Sequence, residues 1–99
     1  MQLTITTNEE NDKLNIAAAG RFNHEIVEEF RDTYAGQAFT ECTIDFLQTE
    51  YMDSSGLGML LVIKSDLGEK CNIKLRNCRE DVARILKIAR FDQLFDVEF

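Results

Sequence analysis

The sequence predicts one α/β domain over residues 1–99, a mixed β-sheet with helices mainly on one face and the element order β-β-α-β-α-β-α-β. Three observations predict it. Short runs alternate apolar and polar residues, as strands do. Longer runs between them repeat apolar residues three and four apart, as helices do. No proline, Ser/Gly-rich linker, repeat or low-complexity tract divides the 99 residues, a length that supports a single core. Strands separated by helices call for right-handed crossovers, and clean alternation calls for a sheet covered on one side.

The elements follow in order. Leu3, Ile5 and Thr7 alternate with Gln2, Thr4 and Thr6; after the polar turn "NEEND", Leu14, Ile16 and Ala18 repeat the pattern, which reads as a hairpin. "NHEIVEEFRDTY" puts Ile26, Val27, Phe30 and Tyr34 on one stripe, with Asn23 placed to cap the helix and Gly36 to stop it. Cys42, Ile44 and Phe46 alternate with Thr43 and Asp45 as a third strand. A middle helix runs from about Ser55 to Leu67. Ile73 and Leu75 mark a fourth strand, and Phe95, Val97 and Phe99 a short last one. Between these two, "NCREDVARILKIA" aligns Val82, Ile85, Leu86 and Ala89, and Asn77 with Glu80 has the spacing of a capping box.

The middle helix is apolar on two sides. Leu57, Leu60, Leu61 and Leu67 make one face; Met59, Val62 and Ile63 make another. Either flanking elements cover both, or Met59 and its neighbours dock a partner.

Charge and cysteine content narrow the function. A net charge of −7 opposes nucleic acid, where cations must replace counterions on phosphates, and it opposes anionic membrane surfaces. A protein partner with a basic patch fits better. No run approaches the roughly 20 apolar residues of a membrane span, and "MQLTITTNEEND" lacks the basic and apolar regions of a secretory signal. Three cysteines, without a C-x-x-C pair and with a single histidine, argue against a disulfide framework or a metal site. The expected location is a reducing compartment, the cytoplasm. No cofactor is implied.

The stretch "YMDSSGLGML" carries the chemistry. Asp53, Ser54 and Ser55 stand where a strand gives way to the middle helix, and any of them has the side chain of an N-cap. Gly56 and Gly58 then weaken the first helical turn by about 1 kcal/mol each relative to alanine, which points to close backbone approach or an exposed site. Beyond capping, three functions compete. A serine nucleophile needs a base, but His24 is the only histidine and the G-x-S-x-G elbow is missing. An anion or nucleotide site lacks the P-loop lysine and glycine spacing. Phosphorylation by another protein needs only an accessible hydroxyl, and a helix N-terminus tolerates the added charge. Enzymatic activity is not expected.

"TIDFLQTEYMDSSGLGMLLVI" resembles the signature of STAS domains, in particular the bacterial anti-sigma factor antagonists, in which D-S-[ST]-G-L-G follows a strand. "AAAGRFNHEIVEEF" and "IKLRNCREDVARILKIARFDQLFDV" extend the resemblance over almost the whole chain. The resemblance implies a STAS-like fold and partner switching: the unmodified protein binds an anti-sigma factor that is also a serine kinase, and so frees a sigma factor. Phosphorylation of Ser54 would abolish binding, with Ser55 as the minor alternative, and a metal-dependent serine phosphatase would reverse it. The implied partner-binding residues are Asp53, Ser54, Ser55, Gly56, Leu57, Gly58, Met59 and Asn23. Asn23 departs from the acid many relatives carry at that place. The rival implication is a STAS interaction module without a switch, a subunit of a stress-sensing or lipid-transport assembly.

Overall fold

The computed structural model describes the backbone of residues 2–8, 12–22, 27–36 and 38–98. Strands β1 (Gln2–Asn8) and β2 (Lys13–Phe22) pair antiparallel with Ile5 opposite Ile16, the expected hairpin. Helix α1 (Val27–Asp32) precedes β3 (Glu41–Asp45) and β4 (Thr49–Met52). Then come α2 (Ser54–Leu67), β5 (Asn72–Arg76), α3 (Glu80–Ile88), a 3-10 turn at Phe91–Gln93 and β6 (Asp96–Val97). The sheet order is β1-β2-β3-β5-β6, with β4 paired to β2, and every pairing except β1–β2 is parallel. The α/β class and mixed sheet agree with the sequence reading.

The pleat separates the two faces. Cys42 and Ile44 of β3 are buried with Leu14, Ile16 and Ala18 of β2 and Ile73 and Leu75 of β5. Their alternates carry polar groups: Glu41 takes ion pairs from Lys13 on β2 at 3.3 Å and from Lys74 on β5 at 2.7 Å. A charged ladder across three strands suits a face left to water, so the core lies on the other side. There Phe22 meets Phe30 and Phe46 edge-on, both with ring centroids at 5.3 Å. Tyr34 Oη donates to Asp66 Oδ2 at 2.7 Å, tying the turn after α1 to the last turn of α2.

Three expectations need correction. The first is the element order, because β4 intervenes between the third strand and the middle helix. Thr49, Glu50, Tyr51 and Met52 bury only their two ends, so no period of two is present to betray the strand. The second is the capping box at α3. Asn77 adopts the left-handed conformation at φ 56° and spends its amide on Asp45 Oδ1 at 3.1 Å; Arg79 occupies the cap position with no side-chain cap bond. Asn77 ends β5 instead of starting α3. The third is Met59, which is 4% exposed and belongs to the core, so it offers no docking surface. Leu61 and Val62, at 44% and 36%, hold the outward apolar positions of α2. Helix α1 closes at Asp32, short of the expected stop at Gly36; a turn runs on to that glycine, left-handed at φ 76°. The polar turn at 9–11, the cap Asn23, His24, Ile26 and Phe99 lie outside the described residues.

Candidate functional site

Strand β2 serves two neighbours in turn. Lys13 to Ala17 pair with β3; the register then shifts between Gly20 and Arg21, and Gly20, Arg21 and Phe22 pair with Thr49, Tyr51 and Met52 of β4. Gly20 takes φ 84°, a conformation open to glycine at little cost, and its amide donates to the Gln48 carbonyl at 2.9 Å. Fully buried Thr49 locks the far side, its hydroxyl donating to the Ala18 carbonyl at 2.8 Å. These bonds aim Asp53 and the start of α2 at the rim of the sheet.

Asp53 is the N-cap. Its backbone is extended, and Oδ1 accepts from the Ser55 amide at 3.0 Å, the Gly56 amide at 3.2 Å and the Ser55 hydroxyl at 2.5 Å. Oδ2 accepts from Tyr51 Oη at 3.4 Å. The Ser55 hydroxyl first, then the two amides and Tyr51, hold this carboxyl below the usual aspartate range. A carboxylate so well satisfied is a poor base, so its contact with Ser55 does not make a nucleophile. Arg21 lies over the Tyr51 ring, 5.6 Å from its centroid, and places a cation at the same rim.

The serines therefore divide their tasks. Ser55 is half-buried and committed to Asp53; Ser54 is exposed, and no hydrogen bond to its side chain is found among the described residues. The glycines divide as well. A Cβ on Gly56 would stand 2.3 Å from the Phe22 carbonyl oxygen and 3.0 Å from its ring, whereas one on Gly58 would meet nothing within 4 Å. Gly56 is thus the close approach that lets α2 lie against the end of β2. Gly58 is the open one. Four residues beyond Ser54, it continues the outward line toward Leu61.

Of the eight residues implicated by sequence, Asp53, Ser55 and Gly56 form one hydrogen-bonded cluster beside exposed Ser54. Leu57 is partly buried against the core, Gly58 is half-buried, Met59 is internal and Asn23 lies outside the described residues. Tyr51, two residues from Asp53, and Arg21 were not anticipated; only the β2–β4 pairing brings Arg21 over the Tyr51 ring. No group of three His, Cys, Asp or Glu side chains suited to a metal is found among the described residues.

Two expectations follow from this geometry. Asp53 has a depressed pKa in the folded state, so its contribution to stability is present above the ordinary aspartate pKa of about 3.9 and is lost as pH falls through its lower folded value. Asp53→Asn should therefore lower the melting temperature at neutral pH and flatten its fall below about pH 4, as read by circular dichroism over a pH series. Gly58→Ala should stabilise the fold by about 1 kcal/mol, raising the melting temperature by about 4–8 °C.

Comparison with known proteins agrees with this architecture. The family profile described as "Mlab, STAS domain" matches residues 5–96. A STAS-domain containing protein of Pseudomonas aeruginosa strain UCBPP-PA14 is 37% identical over 100 residues, covering 98% of this chain and 99% of that protein. An anti-sigma factor antagonist from Mycobacterium paratuberculosis superposes with a TM-score of 0.74 at 16% identity, over 97% of this chain and 85% of that one. The anti-sigma factor antagonist SpoIIAA superposes in its unphosphorylated form with a TM-score of 0.69 at 19% identity, over 94% and 97% of the two chains. Its phosphorylated form, from Bacillus, gives 0.69 at 17% identity, over 99% and 92%. No described helix is long and apolar enough to cross a membrane.

Proposed function

Because this chain belongs to the STAS-domain family, we propose that it is an anti-sigma factor antagonist whose binding is switched by phosphorylation of Ser54. The unmodified rim, with Asp53, Ser54, Gly58 and the outward side of α2, binds an anti-sigma factor that is also a serine kinase, and a sigma factor is released. A metal-dependent serine phosphatase restores the binding form. The chain is substrate and binder in this scheme, and it catalyses nothing itself.

The observation that carries the reading is the division of labour between the serines. Asp53 caps the helix, and Ser54, with no side-chain hydrogen bond found among the described residues, stands exposed at the start of α2. Ser55 already gives its hydroxyl to Asp53, which makes it the poorer acceptor. A dianion at position 54 meets the favourable end of the helix dipole, so the fold tolerates it. A partner packed over the same spot must desolvate that dianion beside Asp53, and it has no reason to hold a spare cation there.

The test is incubation of the purified chain with ATP and its cognate kinase, followed by intact mass measurement. One phosphate on the native chain and none on Ser54→Ala is the expected result; a phosphate that persists in Ser54→Ala would overturn the assignment. Ser54→Ala should also bind constitutively. The matching profile is named for Mlab and not for an antagonist, which favours a second reading, a STAS module that docks without a switch. It predicts partner binding indifferent to Ser54→Asp.

A further inference from the structure

The stretch that holds α3, residues 79–90, departs from the rest of the chain in charge, and the outer side of the helix departs in apolar exposure. Residues 79–90 hold four of the 11 cations (Arg79, Arg84, Lys87, Arg90) and two of the 18 acids (Glu80, Asp81), a net of +2, so the remaining residues carry −9. On this side Ile88 is 77% exposed, more than any other large apolar side chain reported for the described residues. Val82 and Leu86 bury the opposite face, so Ile88 is not displaced core. An isoleucine left in water among charges breaks the amphipathic pattern of its own helix, and such local inconsistencies gather at functional surfaces.

A groove of about 530 Å³ runs here, lined by Cys78, Glu80, Ala83, Arg84, Lys87 and Ile88. The one acid in its wall pairs loosely: Glu80 and Arg84 are 3.9 Å apart with side chains 94% and 68% exposed. Such a pair exchanges partners at little cost.

We propose that this groove docks an acidic segment of a partner protein, with an apolar side chain seated against Ile88 and carboxylates on Arg84 and Lys87. Charge complementarity selects the occupant. An anionic bilayer would meet the field of the other −9 charges at close range, and one isoleucine inserts too little apolar surface to compensate. A nucleic acid would need more cations than the stretch supplies. A short acidic segment touches only the local positive patch. The groove shares no lining residue with the Ser54 rim, so its occupancy is independent of the switch and of the function proposed for that rim.

The test is NMR titration of the isotopically labelled chain with a short synthetic peptide patterned with glutamate and leucine at helical spacing. Saturable amide shifts centred on residues 79–90 are expected. The double variant Arg84→Glu, Lys87→Glu and the variant Ile88→Ser should each weaken binding by about tenfold or more, while Ser54→Asp leaves it unchanged. A lysine–leucine peptide should bind the charge-reversed variant and not the native chain. All these positions are exposed, and unchanged melting temperatures will show that the variants fold. The proposal falls if the acidic peptide fails to bind, if its shifts lie elsewhere, or if the lysine peptide binds the native chain equally. It falls equally if vesicles rich in phosphatidylglycerol sediment the chain through Ile88, or if ultracentrifugation shows a dimer that Arg84→Glu dissolves.

Discussion

Phosphate on Ser54 should weaken partner binding by about 10⁴-fold, the factor that turns near-complete occupancy into near-complete release, while the melting temperature moves by only a few degrees. The two halves of this expectation have different causes. Stability is spared because the added group occupies an exposed position whose hydroxyl makes no hydrogen bond found among the described residues, and the cap of α2 belongs to Asp53. Binding is lost because about 5.5 kcal/mol is required, an amount within reach only of a charge desolvated without a partner. A charge at a hydrated rim changes affinity far less. The proposed switch therefore expects Ser54 under the partner or at its very edge. Calorimetry with phosphoserine placed genetically at position 54 separates this reading from any question about the kinase. Undiminished affinity would sink the switch, and unfolding of the modified chain would mean that the charge acts through the fold. Ser54→Asp adds less charge and should act in the same direction more weakly.

Gly56→Ala should cost about 3 kcal/mol, the upper end of what overpacking usually costs, and lower the melting temperature by about 12–24 °C. The added methyl would be placed 2.3 Å from the Phe22 carbonyl oxygen, a backbone atom that cannot rotate aside, and Met52 Cγ closes the space at 3.1 Å. Relief requires α2 to shift away from β2, and the shift would carry the Gly56 amide away from Asp53. Against a total stability of 5–15 kcal/mol for a typical domain, that loss is large. Thermal unfolding of Gly56→Ala beside Gly58→Ala checks it directly, since the same chemical change two residues on meets open space and should move the midpoint upward. Equal effects at both positions would refute the close-approach argument.

Much of the molecule is legible in one dimension. The alternation of Leu14, Ile16 and Ala18 and of Cys42 and Ile44 marks which face of the sheet is buried, because a strand's side chains switch sides at every residue whatever its neighbours are. "DSSGLG" is informative because caps and glycines act within a few residues of their own position.

Other properties have no local signature. Nothing in "TEYM" separates a short edge strand from a loop; the bend of β2 at Gly20 makes it one. Met59 and Leu61 are both apolar helix residues, and only packing against the sheet sends the first to 4% exposure and leaves the second at 44%. Likewise Asn77 has the spacing of a cap, yet Asp45, distant in sequence, takes its amide.

By itself, then, the amino-acid order determined the class of fold, the buried face of each long strand and the place where hydroxyls meet a helix start, all consequences of backbone periodicity. Tertiary structure alone decided which glycine is indispensable and which apolar residues of α2 face outward. Those outcomes depend on contacts between segments far apart in the chain, and such contacts leave no period behind.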